Sequence, residues 1–351
     1  MKKIGVISLY GMDNYGNKLQ NYAVNTVIDR IGGCPVNFLY KKKSYTINCI
    51  LRYMLKKKYQ KKRFKTIKRF MIFKTFDRKN VNEYASKLYK KIYKYDFFVC
   101  GSDQIWNPCW NLSMIYYFAA FAPKEKRIAY AASFGVEDIP AEQTAEYADY
   151  LNGMEAISVR EESGAKIVKE LTGRDVPVLI DPTMMLSKSE WQKVSIKPKY
   201  KLPDKYILMY FLGDISIEVN TYIENVSKQF GMEIICLAQK QTNKYWYETG
   251  PAEFIWLIEH CALMCTDSFH GSVFSVLMEA PFIVFSRIDS GKATMGTRID
   301  TLLNTLKIPE RRFSYQQGEN IFEKNYGHIR GILETERKIA IEYLKDALEL
   351  E

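Results

Sequence analysis

The chain has 351 residues, 47% hydrophobic and 14% aromatic, with 51 basic against 40 acidic side chains. That length predicts two domains of ordinary size, and that apolar content excludes disorder as the dominant state. The net charge of +11 invites a nucleic-acid or membrane partner, but it is concentrated: residues 41–94 hold 20 basic and two acidic side chains, a net of +18, leaving 31 basic and 38 acidic elsewhere, a net of −7. A nucleic-acid enzyme spreads its basic residues along the groove its ligand follows, so one dense stretch predicts a local surface and no nucleic-acid partner.

In chain order, Met1-Lys2-Lys3 runs directly into Ile4, Val6, Ile7 and Leu9, an alternation too short for a secretory apolar region and suited to a first strand. No apolar run approaches the ~18 residues of a membrane span, so a cytoplasmic protein is expected. Strand-like runs follow at Val36 to Tyr40, Tyr95 to Cys100, Arg127 to Ser133, Ala156 to Val159 and Val178 to Ile180. Others lie at Tyr206 to Phe211, Glu233 to Ala238, Ala262 to Cys265 and Phe282 to Phe285. Between them lie helical periods such as Leu19, Tyr22, Ala23, Val27 and Ile31. The alternation predicts an α/β protein with two parallel-sheet units in tandem.

Ser195 to Asp204, with two prolines and three lysines, reads as the linker. It separates a first domain over residues 1–194, carrying a basic helical insertion at about 41–94, from a second over 205–328. A stripe through Ile329, Ile332, Leu333, Ala340, Tyr343, Leu344, Ala347 and Leu348 predicts a last helix within 329–351. That stripe needs a surface to cover, and the first domain is the candidate. The seven scattered cysteines read as buried reduced thiols, and Cys261 and Cys265 have no second pair at ligand spacing, so no metal is expected.

In open α/β sheets, ligands bind beyond the carboxyl ends of the strands, where helix N-termini offer free N–H groups to anions. Four such ends carry polar residues. In Cys265-Thr266-Asp267-Ser268-Phe269-His270-Gly271 a strand meets a helix expected from about Ser272 to Glu279. There Asp267 or Ser268 would cap, Gly271 would admit a ligand to the backbone, and His270 would sit beside an anion site, with a packed histidine on a capping turn as the alternative. His260 and His328 read as structural.

After Ile157-Ser158-Val159 comes Arg160, able to grip a carboxylate or phosphate bidentately or to pair with Glu161 or Glu162. In Gly101-Ser102-Asp103-Gln104-Ile105-Trp106 the polar residues suit sugar hydroxyls, with Trp106 either stacked on a sugar or packed in the core. The loop Gly11 to Asn17, with Asn14 and Asn17, has two glycines but no GxGxxG, so a dinucleotide site is not indicated.

These residues, with DNYGNKLQNYA, YDFFVCGSDQIWNP, IAYAASFG, ISVRE, VLIDPTMML, CTDSFHGSVFSVLMEAPFIVF and MGTRIDTLL in collinear order, resemble the polysaccharide pyruvyl transferase family over nearly the whole chain. The resemblance implies two Rossmann-like domains facing a cleft, a GT-B-like fold. It also implies phosphoenolpyruvate as donor and co-substrate, no other cofactor, and a glycan or lipid-linked precursor as acceptor. It makes His270, Arg160 and Asp103 the catalytic candidates. Donor contacts would be Arg160, Ser268, His270, Gly271, Lys292 and Arg298. Acceptor contacts would be Ser102, Asp103, Gln104, Trp106, Asn14 and Asn17, with Asp181 or Asp267 as a partner for His270.

A nucleotide-sugar glycosyltransferase and a non-catalytic glycan-binding relative are the alternatives on the same scaffold. Within the basic segment, Ile47, Ile50, Leu51, Met54 and Leu55 recur at helical spacing among lysines. That stripe either docks on its own domain or meets an anionic membrane at the inner face of the cell.

Overall fold

The computed structural model of the protein describes residues 1–9, 14–38, 60–80, 84–85, 92–110, 112–237, 243–288, 296–313 and 319–351. Six strands form the first sheet: β1 (Lys3–Ile7), β2 (Cys34–Phe38), β3 (Tyr84–Ala85), β4 (Phe97–Cys100), β5 (Arg127–Ala132) and β6 (Ala156–Val159). They pair in parallel in the order β3-β2-β1-β4-β5-β6. The second sheet holds β7 (Tyr206–Tyr210), β8 (Glu233–Cys236), β9 (Leu263–Thr266) and β10 (Phe282–Val284), also parallel, in the order β10-β9-β7-β8. Strands covered on both faces need apolar side chains at every position, which is why FFVC and YILMY are continuous runs rather than alternations.

The first order is that of the Rossmann fold, and the second follows the same doubly wound logic with fewer strands. Each sheet therefore has one point where the strand order reverses, between β1 and β4 and between β7 and β9. The molecule is two Rossmann-like α/β domains facing a cleft, the GT-B-like arrangement. One expected strand is reduced: Val178 makes a single parallel bridge to Val159, and the chain turns at Pro182–Met185.

Helix α1 (Tyr15–Arg30) is capped by Asn14, whose side chain accepts from the Asn17 N–H, and it buries Leu19, Ala23, Val24, Val27 and Ile28. Each fully buried Leu, Val or Ile side chain of this kind contributes roughly 1.5–3 kcal/mol. Its polar residues are buried as well, because α1 is covered on both sides; Asn25 and Asn37 exchange a reciprocal pair of 3.0 Å hydrogen bonds between α1 and β2.

The basic segment contributes α2 (Gln60–Asn80). Its inner face carries Arg69, Phe73, Phe76 and Asp77, all buried. Asp77 accepts from Lys18 of α1 at 2.8 Å. Arg69 donates to the Tyr15 hydroxyl at 3.0 Å and stacks 3.6 Å from Trp246, on α3 (Lys244–Glu248) of the second domain. Helix α2 thus packs against both domains. The stripe from Ile47 to Leu55 lies outside the described residues.

In the second domain α4 (Pro251–His260), α5 (Phe269–Leu277) and α6 (Thr297–Thr305) pack in series. The last helix, α7 (Gly327–Ala347), buries Ile329, Leu333, Ala340 and Leu344. It returns to the first domain, where Tyr343 donates to the Ala129 carbonyl at 2.7 Å and Arg337 to the Met184 and Leu186 carbonyls. Cys100, Cys261 and Cys265 are buried, but Cys34 and Cys109 are exposed, contrary to the expectation of uniformly buried thiols. No described helix is long and apolar enough to cross a membrane.

Candidate active site

A cleft of about 480 Å³ opens where both strand orders reverse. The first domain lines it with Leu9, Asn14, Asn17, Asp103, Gln104, Trp110 and Tyr117. The second lines it with Leu212, Ser268, Phe269, His270, Arg287 and Arg298. Leu9 and Asp103 follow β1 and β4, and Leu212 and Ser268 follow β7 and β9, so short strands deliver these side chains to one place.

On the second-domain wall, α5 begins at Phe269, three residues earlier than Ser272, with Ser268 as its cap. His270 therefore sits in the first helical turn rather than before it. Asp267 does not cap: its two carboxylate oxygens accept from the Leu212 and Gly213 N–H groups at 2.8 Å each. Gly271 does not open the backbone to a ligand either. A Cβ there would meet Thr266 Oγ1 at 2.5 Å, so the glycine serves the packing of α5 on β9.

The His270 ring is buried between the domains. A Cβ on Gly16, in the first turn of α1, would stand 2.2 Å from its Nδ1, so only glycine lets α1 approach this closely. Its Nε2 faces Asp181 Oδ2 at 3.7 Å, beyond hydrogen-bond length, and has no hydrogen-bond partner among the described residues. Burial pushes its pKa down from the usual 6.5; Asp181 and Asp103 pull it up, while Arg160 and Arg298 reinforce the fall. The imidazole is neutral at pH 7, with one proton to give and one lone pair to receive another. His260 stacks on Trp256 and His328 meets the Leu306 carbonyl, both away from the cleft.

Beneath the cleft floor lies a buried charge cluster. Arg160 was expected to receive a donor anion or to pair with Glu161 or Glu162. Instead its Nη1 donates to Asp181 at 2.5 Å, its Nη2 reaches Asp103 at 3.4 Å, and its guanidinium stacks 4.4 Å from the Phe269 ring centre. Glu161 turns away and accepts from the Ser133 hydroxyl and the Phe134 and Gly135 amides. Asp181 also accepts from Ser102 at 2.6 Å and from Thr183. Burial alone would raise its pKa, but Arg160 and these hydrogen bonds hold it down at about 2. Ser102 is fully buried in this cluster and does not reach the cleft as an acceptor contact.

Asp103 links the cluster to the cleft. It has a φ of 71°, an uncommon left-handed conformation for a non-glycine residue, and such local strain is found where the surrounding structure holds a side chain for function. Its carboxylate accepts from the Gln104 N–H and from the Asn17 side chain, and faces Arg160 and Arg298. Against burial, which raises it, the two arginines help hold its pKa below the usual 3.8. Arg298 also donates to the Gln104 carboxamide oxygen, and burial with Arg160 pushes its own pKa down to about 9. Lys292 lies outside the described residues.

Trp106 offers no ring to a sugar. It is fully buried, stacked on Phe118 at 4.6 Å, with its Nε1 donating to the Tyr117 carbonyl. Four residues on, Trp110 is 38% exposed and lines the cleft. The sequence reading missed Trp110, Tyr117 and Arg287. Arg287 follows the run of β10 as Arg160 follows β6, so the same signal could have found it; Trp110 carries no signal that separates it from Trp106. No group of three or more His, Cys, Asp or Glu stands together as a metal site among the described residues.

Several solved structures align with most of the chain at low similarity. A UDP-N-acetylglucosamine 2-epimerase described as putative, from Listeria monocytogenes, is 9% identical with a TM-score of 0.47, covering 96% of this chain and 91% of its own. HepE from Anabaena, in complex with UDP and glucose, is 10% identical with a TM-score of 0.47 over 99% of both chains. The fold assignment rests on the strand orders above. No curated protein matches the chain. The model of the polysaccharide pyruvyl transferase family matches residues 14–290, a span that takes in Asn14, Asp103, Arg160, His270 and Arg287. That match covers well over half of the chain, and the protein is therefore a polysaccharide-modifying transferase that belongs to the polysaccharide pyruvyl transferase family.

Proposed function

We propose that the protein moves pyruvate from phosphoenolpyruvate onto two hydroxyls of a sugar, in a polysaccharide or its lipid-linked precursor, as a cyclic ketal with release of phosphate. The observation that carries this reading is the opposed character of the cleft walls. The second-domain wall presents Arg287, Arg298, His270 and the Ser268-capped N-terminus of α5, a set suited to a small dianionic donor. The first-domain wall presents Asn14, Asn17, Gln104, Trp110 and Tyr117, a set suited to sugar hydroxyls and an apolar sugar face.

In this reading Arg287 and Arg298 hold the donor carboxylate and phosphate. Arg160 acts from below, fixing Asp103 and Asp181 and supporting the Phe269 ring. An acceptor hydroxyl adds to the central carbon of phosphoenolpyruvate while His270 takes its proton and passes one to the vinyl carbon, making the methyl group. The second hydroxyl then displaces phosphate from that carbon, and its proton leaves on phosphate through the same imidazole. Guanidinium groups and backbone N–H groups already in place stabilise the charge that develops on phosphate. Asp103 and Asp181 flank the ring and favour its transient cationic form.

The test is a phosphate-release assay with phosphoenolpyruvate and a glycan acceptor, with mass spectrometry of the glycan for the pyruvyl increment. Replacing His270 by Ala is expected to lower kcat by about 10²–10⁴ while the melting temperature is retained. Thermal stabilisation by a nucleotide sugar but not by phosphoenolpyruvate, with no phosphate released, would replace the donor in this reading.

A further inference from the structure

Helix α2 is apolar on two opposite faces, and only one is covered. Arg69, Phe73, Phe76 and Asp77 root the inner face between the domains. On the outer face Ile67, Phe70 and Met71 are 40%, 40% and 47% exposed, and Lys74 completes their helical spacing with its Nζ over the Phe70 ring. Of the other lysines, Lys65 and Lys68 turn toward the second domain, over the Tyr247 ring and 3.0 Å from Glu248, so Lys74 is the described cation on the outer face. Single exposed apolar residues are ordinary, but three on one face of an anchored helix mark a contact surface.

We propose that the outer face of α2 docks on an anionic lipid surface. Lysines beside a shallow apolar ridge are the composition of helices that lie in the membrane interface, where aliphatic side chains enter the headgroup boundary and the ammonium groups meet lipid charge. A second copy of this chain is a poor occupant, since it would bring the same basic segment, +18 over residues 41–94, against itself. The rooting of α2 gives the docking a direction: Arg69 holds Tyr15, the first residue of α1, beside Asn14 on the cleft rim. A lipid-docked α2 thus holds the cleft at the bilayer, where a lipid-linked acceptor is presented. The surface does not depend on which donor the cleft takes.

The full chain is to be sedimented with vesicles of phosphatidylcholine, with and without phosphatidylglycerol. Binding is expected only to the anionic vesicles and should weaken as salt is raised. The combined variant Ile67→Ser, Phe70→Ser, Met71→Ser is expected to lose binding by more than about tenfold. Lys74→Gln should weaken it roughly fivefold. Ile67, Phe70, Met71 and Lys74 are all exposed, so melting temperatures should hold. Absence of vesicle binding, equal binding to neutral vesicles, or full binding by the serine variant overturns the proposal. So does a concentration-dependent dimer, or nucleic-acid binding, that the serine variant abolishes while vesicle binding persists.

Discussion

The two reversal points of strand order open on one cleft, yet they use their polar residues in opposite ways. At the first-domain point Asp103, Asp181, Ser102 and Arg160 are turned on one another and buried, with Asp103 also reaching the cleft and Arg298. At the second-domain point the carboxylate of Asp267 is taken up by the Leu212 and Gly213 amides, and the lining that faces the cleft is His270, Arg287 and Arg298. The difference teaches that an arginine at a strand end has no fixed meaning. Arg160 is closed in by two carboxylates and an aromatic ring, whereas Arg287 is held by Asp267 alone among these carboxylates and lines the cavity.

Perturbations of the ring, the arginine pair, the tryptophan pair and the pH press on that contrast in turn. Gly16→Ala would drive a Cβ into the His270 ring across the domain interface, and misplacing a catalytic group by about 1 Å costs on the order of 10² in rate. The check is a fall in kcat of that size with far-UV circular dichroism unchanged; full activity would show that the ring position is not critical. Next, Arg160→Leu strands two buried carboxylates and is expected to destabilise the fold by about 3–5 kcal/mol, read from denaturant unfolding. Arg287→Gln should cost less, about 1–3 kcal/mol, because Asp267 keeps the Leu212 and Gly213 N–H groups, and should raise the donor KM by about 10- to 100-fold. If the two exchanged phenotypes, the assignment of floor and wall would be reversed.

The paired tryptophans separate in the same manner. Trp106→Ala should cost about 3–5 kcal/mol of stability, and Trp110→Ala should instead raise the acceptor KM by roughly 5- to 10-fold with the donor KM unmoved. The smallest effect is on pH. Because His270 works neutral, activity is lost as pH falls through its lowered pKa, so mild acid is tolerated. Arg298→Gln removes a positive neighbour, raises that pKa, and moves the acid limb of kcat/KM to higher pH. Stability falls in two windows: the lowered pKa of His270 costs stability as pH drops below its usual 6.5, and the depressed Asp181 carboxyl contributes fully above its usual 3.8, a contribution lost as pH falls toward about 2.

What the sequence determined by itself was the class of fold and the identity of most strand-end residues. Continuous apolar runs such as FFVC and YILMY can be satisfied only between two covering layers, so their alternation with helices implies parallel sheets whatever the packing details. Period, capping residues and glycines are local physics, and they placed Asn14, Asp103, Ser268 and His270 near a carboxyl edge. Tertiary structure decided which of these meet a ligand. Exposure and ion pairing depend on what arrives from distant segments: Asp181 and Asp103 enclose Arg160, Phe118 covers Trp106, and α1 advances to His270 because residue 16 lacks a Cβ. The charge of the basic segment was visible from its lysines. That its helix would be rooted through Arg69 across both domains, leaving Ile67, Phe70 and Met71 outward, depended on the second domain's Trp246 and Thr249, more than 170 residues away in the chain.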